Sequence, residues 1–386
     1  MRTVELGQLI EPAVVRKAGS GEFPVLSMTM HSGLVDQSVK FNKRVASADT
    51  TDYKVIERGQ LVVGFPIDEG VLDFQNSYDE AIVSPAYGVW QLRSSESADS
   101  SYLARFLRSP RALSYYKAKL RGSTARRRSL PKGVFLELKV PLPTIEEQRR
   151  VAVILDHVDA LRFRRRQVMT RLNDLKQSIF INAFGDPARN PRGLPMGTVG
   201  DLVASADYGT SEKSSLTGDI AVLRMNNITY GGDVDLRDLK YMTLPRGKFD
   251  RYTVRSGDVL FNRTNSAELV GKTAVYRDSD PIAYAGYLVR LRVDEHHQPD
   301  YLSGVLNSGY GKATLRGMCK RIVGMANINA REVQTIRVPI PSSADQEAYA
   351  HHLAAVRRQL ADQANGLLKL EELFASLQSR AFSGQL

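Results

Sequence analysis

The sequence predicts an α+β protein built twice over. Two α/β domains, residues 1–143 and 186–341, are each followed by a long helix, residues 144–185 and 342–386, and the two helices pair antiparallel as a coiled coil. Three observations predict this. Shifting the sequence by 198 residues lays Pro341–Leu386 on the stretch from Pro143 without a gap, so that Val140-Pro-Leu-Pro143 meets Val338-Pro-Ile-Pro341, Gln148 meets Gln346 and Ala183-Phe184 meets Ala381-Phe382. Both stretches carry apolar seams in alternating steps of three and four, the spacing of a helix lying along another helix. Both begin with a capping box, Thr144 with Glu147 and Ser342 with Asp345, in which hydroxyl and carboxylate satisfy helix-end N–H groups.

The first domain opens with β-rich runs bounded by Gly, Pro and Asp: Gln60–Phe65, Ala81–Ser84 and Tyr87–Leu92. Tyr102–Leu107 and Arg111–Leu120 are helical, with Pro110 restarting the second. From Ser100 to Phe135 there are ten Lys or Arg residues and no acidic one: Arg105, Arg108, Arg111, Lys117, Lys119, Arg121, Arg126, Arg127, Arg128 and Lys132. Ordinary solvated faces mix signs, so this run points to phosphate contact, with Arg126–Arg128 after Gly122 foremost. The first long helix follows, its seam Val151, Ile154, Val158, Leu161, Arg165, Val168, Leu172, Leu175 and Ile179 interrupted only by Arg165. Gly185 and Pro187 stop it. At about 1.5 Å per residue it spans roughly 60 Å, too long for the interior of one small domain.

The pattern restarts at Met196. A polar loop, Tyr208–Ser215, precedes strand-like Ala221–Met225, Asp258–Phe261, Ala274–Tyr276 and Tyr287–Val293. Tyr301-Leu302 matches Tyr102-Leu103 one residue off the main shift, and Leu302–Ala330 again holds only basic charges, Lys312, Arg316, Lys320 and Arg321. The second seam, Tyr349, Leu353, Val356, Leu360, Gln363, Leu367, Leu370, Phe374 and Leu377, has one polar break, Gln363, the shifted equivalent of Arg165. In an antiparallel pair the two midpoints meet, so Arg165 and Gln363 form one polar layer that fixes register at some cost in stability. The halves agree after Tyr102 and Tyr301 and differ before, as expected of a common frame carrying two variable surfaces.

A formal charge of +11 and a pI near 9.6 favour an acidic partner. No run approaches eighteen apolar residues and the N-terminus lacks signal-peptide architecture, so a soluble, cytoplasmic chain is expected. Cys319 is the single cysteine, which excludes disulfides and Cys-based zinc sites within one chain. Catalytic motifs are approached and missed. Gly271-Lys-Thr273 resembles a P-loop end, but Ser266 stands where the first glycine is required. Ser84-Pro-Ala-Tyr87 and Asn190-Pro-Arg-Gly193 lack the second proline of the amino-methyltransferase motif, and Glu137-Leu-Lys139 has no Pro-Asp pair upstream of it. His296-His297 and His351-His352 are adjacent and do not share a helix face as zinc ligands would. The chain reads as non-catalytic, without a metal or cofactor of its own.

Two variable regions, each followed by Pro-x-Pro, a Glu/Gln-rich helix start and a long helix, resemble the specificity subunit of Type I restriction–modification systems. Leu142–Val151 and Leu377–Leu386 carry the resemblance, as do Gly257–Tyr276 and Tyr208–Ser214, which are similar to a recurrent type of target recognition domain. The resemblance implies that residues 1–143 and 186–341 are target recognition domains, each reading half of a bipartite asymmetric site on double-stranded DNA. The helices would fix the gap and dock two methylating subunits that bind S-adenosylmethionine. Restriction subunits using ATP and Mg would join them. Half-sites one helical turn apart lie roughly 34–36 Å from each other.

For direct readout, Arg263, Asn265 and Lys272 are the candidates in the second half, since Arg and Lys pair with guanine and Asn with adenine. Thr210, Ser211 and Lys213 are further candidates. Against them stands the reading of Arg263-Thr-Asn-Ser266 as a turn whose side chains bond backbone. Arg162, Arg164 and Arg166 near the helix midpoint suit phosphates, a methylating subunit or a solvated face. Two other classes remain open from sequence: a self-contained methyltransferase or nuclease, and a basic scaffold without sequence preference.

Overall fold

The computed structural model of the protein describes residues 1–30, 33–40, 49–120, 130–244, 247–266, 269–322 and 325–386, and of residues 39, 40, 320–322 and 325 the backbone alone. Two compact units emerge: Met1–Arg164 with Gly366–Leu386, and Arg165–Asn365. Six helices carry the argument: α1 (Ser100–Leu107), α2 (Pro110–Lys119), α3 (Ile145–Phe184), α4 (Pro299–Asn307), α5 (Gly309–Met318) and α6 (Ser343–Ser383). Each unit therefore contains a strand-rich domain and about half of each long helix, α3 and α6.

In the first unit, Arg2–Glu5 pairs antiparallel with Lys139–Leu142, tying the start of the chain to the strand that feeds α3. A four-stranded antiparallel sheet runs in the order Ile10–Pro12, Gly88–Leu92, Leu61–Val63, Leu72–Phe74. Lys54–Glu57 pairs with Glu80–Val83, and Leu26–Thr29 with Gly33–Asp36. The core joins this sheet to α1 and α2 through Tyr102, Phe106 and Tyr116, to α3 through Val151, Ala152 and Leu155, and to the end of α6 through Ala381 and Phe382. Phe382 sits edge-on to Tyr102 and Phe106, with centroids 5.6 and 5.2 Å away.

The second unit repeats the frame with a different insert. Met196–Thr198 pairs with Arg337–Pro339 as the first strand does in the other unit. The insert has two four-stranded sheets, ordered Val203–Tyr208, Leu288–Val293, Val259–Asn262, Thr273–Val275 and Lys240–Met242, Ile220–Leu223, Ile282–Tyr284, Thr253–Val254. One parallel pair, Ile220–Leu223 with Ile282–Tyr284, breaks the otherwise antiparallel pattern of these two sheets. The strands expected in both units are present, their ends displaced by one or two residues.

Start-to-end helix pairing occurs inside each unit. In the first, the opening half of α3 lies with the closing turns of α6, and the Arg162 guanidinium is 4.5 Å from the Phe374 ring centre. In the second, the closing half of α3 lies with the opening of α6, and Tyr349 meets Phe180 and Phe184 edge-on at 5.7 and 5.2 Å. The pair is antiparallel, and Arg165 Nη1 donates to Gln363 Oε1 at 2.9 Å, forming the polar layer expected from the two broken seams.

The first capping box forms in both directions, Glu147 N–H donating to Thr144 Oγ1 at 3.3 Å and Thr144 N–H to the Glu147 carboxylate at 3.0 Å, and at the second helix Asp345 N–H donates to Ser342 Oγ at 3.2 Å. Gly185 ends α3 at φ +79°, where a Cβ would meet the Pro191 ring at 2.5 Å.

All nine seam residues of α6 are buried or half-buried. The α3 seam needs one correction: Val168 and Leu175 are 40% and 42% exposed, whereas Met169 and Lys176 are half-buried. A straight helix drifts about 20° per heptad against a 3.5-residue repeat, so a seam written strictly in sevens slips off the contact line. Lys176 then turns inward to pair with Asp233 at 2.7 Å.

A buried glutamine joins domain to helix in each unit. Gln148, fully buried, accepts from Asp99 N–H at 2.9 Å and donates to the Ser97 and Pro143 carbonyls at 3.2 and 3.0 Å. Gln346, equally buried, accepts from Gln298 N–H at 2.9 Å and donates to the Pro341 carbonyl at 2.9 Å, with His297 Nδ1 also at 2.9 Å. Tyr102 and Tyr301 complete the correspondence, their hydroxyls donating to the carbonyls of Pro141 and Pro339. Helix caps repeat too, with Ser109 on Ala112 N–H and Ser308 on Gly311 N–H.

Candidate nucleic-acid interface

The basic run of the first unit divides by role. Arg105 bridges from α1 to α3, its Nε 2.7 Å from Asp156 and its Nη1 2.8 Å from Asp159. Burial works against its charge, but the hydrogen bonds and charges of these carboxylates outweigh it and hold the guanidinium pKa above its ordinary value. Arg108 donates to the Leu72 carbonyl at 2.8 Å and pairs with Asp73 at 3.2 Å. These two arginines hold the unit together, which sequence alone did not distinguish from surface charge. Arg111, Lys117, Lys119 and Lys132 are exposed. Of the aromatics among them, Tyr102, Phe106 and Tyr116 are core, and Tyr115 donates to the Val134 carbonyl at 2.8 Å. Arg126, Arg127 and Arg128 lie outside the described residues.

In the second unit, a small three-stranded sheet assembles several candidates. Thr264–Asn265 and Lys320–Ile322 both pair antiparallel with Met325–Asn327, so that Asn265 and Arg321 both stand opposite Ala326. Arg263 precedes this strand, anchored by its N–H to the Tyr287 carbonyl at 3.0 Å and by its own carbonyl to Ile328 N–H at 2.9 Å. Its guanidinium stacks 4.9 Å from the centre of the Tyr208 ring. Tyr208 is fixed in turn by accepting from Ala330 N–H at 2.9 Å. The Asn265 side-chain Oδ1 accepts from Ser266 N–H at 2.9 Å, but Thr264–Asn265 is a strand and not the turn weighed against base readout. The side chains of Lys320 and Arg321 lie outside the described residues. Tyr208 and Tyr287, 43% and 54% exposed, flank the same edge. Nothing in the sequence assigns their rings a role, because Tyr208 and Tyr287 reach Arg263 only through the fold.

Two candidates prove internal. Lys272 is half-buried and donates to the Met225 and Ile228 carbonyls at 3.1 and 2.5 Å, and burial lowers its pKa. Its ammonium fastens a strand to a neighbouring turn, which removes it from base readout. Thr210 is 3% exposed, its N–H on the Tyr284 carbonyl at 2.9 Å and its hydroxyl accepting from Glu212 N–H at 3.1 Å. Ser211 and Lys213 are exposed on the loop that follows. Near the helix midpoint, Arg162 pairs with Asp159 at 2.8 Å and covers Phe374, whereas Arg164 and Arg166 are exposed.

Among the described residues no group of three or more His, Cys, Asp or Glu side chains is placed to hold a metal, and no helix is long and apolar enough to cross a membrane. The duplicated frame and the divergent strand-rich inserts define a protein of tandem α/β modules on paired long helices.

No protein-family profile matches the chain. It is 24% identical over 316 residues to the StySPI Type I restriction enzyme specificity subunit of Salmonella potsdam, covering 76% of this chain and 67% of the relative. The EcoKI specificity subunit of Escherichia coli K12 is 23% identical over 317 residues, with the same coverage. In fold, the crystal structure of the Type I restriction-modification S subunit from M. genitalium superposes with a TM-score of 0.57 at 13% identity, over 99% of this chain and 96% of that one. The chain is similar in sequence to the specificity subunits of Type I restriction enzymes and shares the fold of one of them.

Proposed function

We propose that this chain reads a bipartite, asymmetric sequence on double-stranded DNA, one half-site by residues 1–143 and the other by residues 186–341. The helices of residues 144–185 and 342–386 would set the gap between half-sites and carry two methylating subunits. Restriction subunits would join that assembly in the cytoplasm. S-adenosylmethionine, ATP and Mg belong to those partners, and the chain contributes recognition alone.

The observation that carries this reading is the antiparallel pairing of α3 and α6 with one polar pair, Arg165 and Gln363, at its midpoint. A register pinned at a single layer keeps the frame from sliding by a heptad, as a spacer of fixed length requires. In the second domain the readers are Arg263 and Asn265, with Ser211, Lys213, Lys320 and Arg321 alongside. In the first they are Arg126, Arg127, Arg128 and Lys132.

The test is genome-wide adenine methylation mapping with the chain and its methylating subunit expressed together. Exchanging residues 1–143 for those of a relative should change one half of the methylated site and leave the other half and the gap intact. An unchanged site, or one altered in both halves, would defeat the reading.

A further inference from the structure

Among the described residues of 186–341, four arginines are buried or half-buried: Arg224, Arg263, Arg290 and Arg292. Three are spent on carboxylates, Arg224 on Asp238 at 3.0 Å, Arg290 on Asp207 at 2.9 Å and Arg292 on Asp258 at 3.0 Å. Arg263 has no carboxylate partner among the described residues. Its Nε is buried without a hydrogen bond, and its guanidinium rests on the Tyr208 ring, 4.9 Å from the centre. Holding a charge part-way out of water without a counterion is costly, and an acceptor arriving from outside the protein would offset that cost.

Both sides of this stack are held by backbone. Tyr208 ends the strand Val203–Tyr208 and Arg263 follows the strand Val259–Asn262. The two strands flank Leu288–Val293 on opposite sides, which brings both residues to its start. Beyond Tyr208, the Gly209 N–H donates to the Leu288 carbonyl at 3.2 Å and the Thr210 N–H to the Tyr284 carbonyl at 2.9 Å. The chains approach so closely there that a Cβ on Gly209 would collide with the carbonyl oxygens of Tyr284 and Ala285. The Tyr208 hydroxyl accepts from Ala330 N–H at 2.9 Å, which fixes the far end of the ring. Arg263 is pinned by both of its backbone groups, to the Tyr287 carbonyl and to Ile328 N–H. What remains free is the arginine side chain, and the ring face restricts the plane its guanidinium can take.

We propose that Tyr208 is the positioning residue for Arg263, holding its guanidinium fork in the orientation that reads a guanine of the second half-site. The inference rests on the DNA reading proposed above and deepens it, naming the base and the residue that aims the reader. Guanine presents O6 and N7 to the major groove, and arginine meets both with paired N–H bonds when the two planes are aligned. An arginine already laid on a fixed ring loses less side-chain freedom on binding than one free in solvent. Tyr208 acts through Arg263 and needs no contact with DNA of its own.

The experiment compares methylation of the cognate site with that of sites changed at one base pair, using the full chain with its methylating subunits. This ratio is insensitive to how much of a variant is folded, since both sites meet the same complex. Tyr208→Leu should relax one G·C position of the second half-site by at least about fivefold, the low end of what a bidentate base contact discriminates. Arg263→Ala should relax the same position, and the double variant should be no more relaxed there than Arg263→Ala alone. Tyr208→Phe keeps the ring face while losing the tie to Ala330, and should keep most of the discrimination. The proposal is overturned if Tyr208→Leu retains the wild-type preference while Arg263→Ala relaxes it. A position that is not a G·C pair, or relaxation by Tyr208→Leu spread over several positions, would overturn it too. If Arg263→Ala relaxes nothing, Arg263 as reader and Tyr208 as its positioner fall together. The wider DNA reading survives that result as long as the wild-type chain directs methylation to a two-part site.

Discussion

Gln148→Ala is the sharpest perturbation of the frame. Gln148 is fully buried and spends its amide on three backbone groups that no helix or sheet satisfies: Asp99 N–H, Ser97 C=O and Pro143 C=O. Removing it orphans one buried donor, at about 1–3 kcal/mol, and two acceptors at less each, since carbonyls tolerate underbonding better. A small cavity adds about 1 kcal/mol. The sum is about 3–4 kcal/mol, a large part of the roughly 5–15 kcal/mol that stabilises a typical domain. Gln148→Leu fills the cavity and leaves the same orphans, so it should recover no more than about 1 kcal/mol.

Hydrogen-exchange mass spectrometry reads this unit by unit. Protection should fall in α1, the residues 139–148 segment and the opening turns of α3, and persist in α4 and α5. Gln346→Ala should give the mirror result in the second unit. A loss under about 1 kcal/mol, or full rescue by Leu, would refute the view that backbone satisfaction rather than volume makes this joint.

Further outcomes follow from the same structure. Phe382→Ala removes a 5%-exposed ring packed on Tyr102 and Phe106. It should cost the first unit about 3–5 kcal/mol in urea unfolding, though the residue is four from the C-terminal Leu386. Arg165→Ala and Gln363→Ala should show a coupling of about 1 kcal/mol in a double-mutant cycle, because their bond is only half-buried. Arg263→Ala should lower methylation of the cognate site and relax one base position, a discrimination of about 1–3 kcal/mol, with thermal stability nearly unchanged. Lys272→Met should instead lower stability. Asp235 is held down to about 2 by hydrogen bonds from the Arg237 side chain and backbone. That stability is present above the unfolded carboxylate range and lost as pH falls from about 4 to 2. Asp235→Ala should therefore cost less than about 1 kcal/mol at pH 7, discounted for its exposure, and only a small part of that at pH 2.

Local chemistry made the frame legible. Helix ends were readable because capping boxes and a left-handed glycine act within four residues of themselves, and Thr144, Ser342 and Gly185 do so here. The polar layer was readable because an antiparallel pair of equal seams has only one midpoint, and a lone polar residue stood at each. Buried Gln148 and Gln346 surfaced as matched letters in the repeat, though their roles as domain-to-helix joints did not.

What only the tertiary structure decided is which of many similar side chains are spent internally. Arg105, Arg108, Lys272 and Thr210 look in sequence like Arg111, Lys117, Lys213 and Ser211. Partners distant in the chain, Asp156, Asp73, the Ile228 carbonyl and the Tyr284 carbonyl, took the first four out of solvent. The exposure of Val168 and Leu175 was likewise settled by accumulated helix phase, which no single residue encodes. A sequence states which atoms are present, and folding decides which are left facing water, because burial depends on neighbours brought from far along the chain.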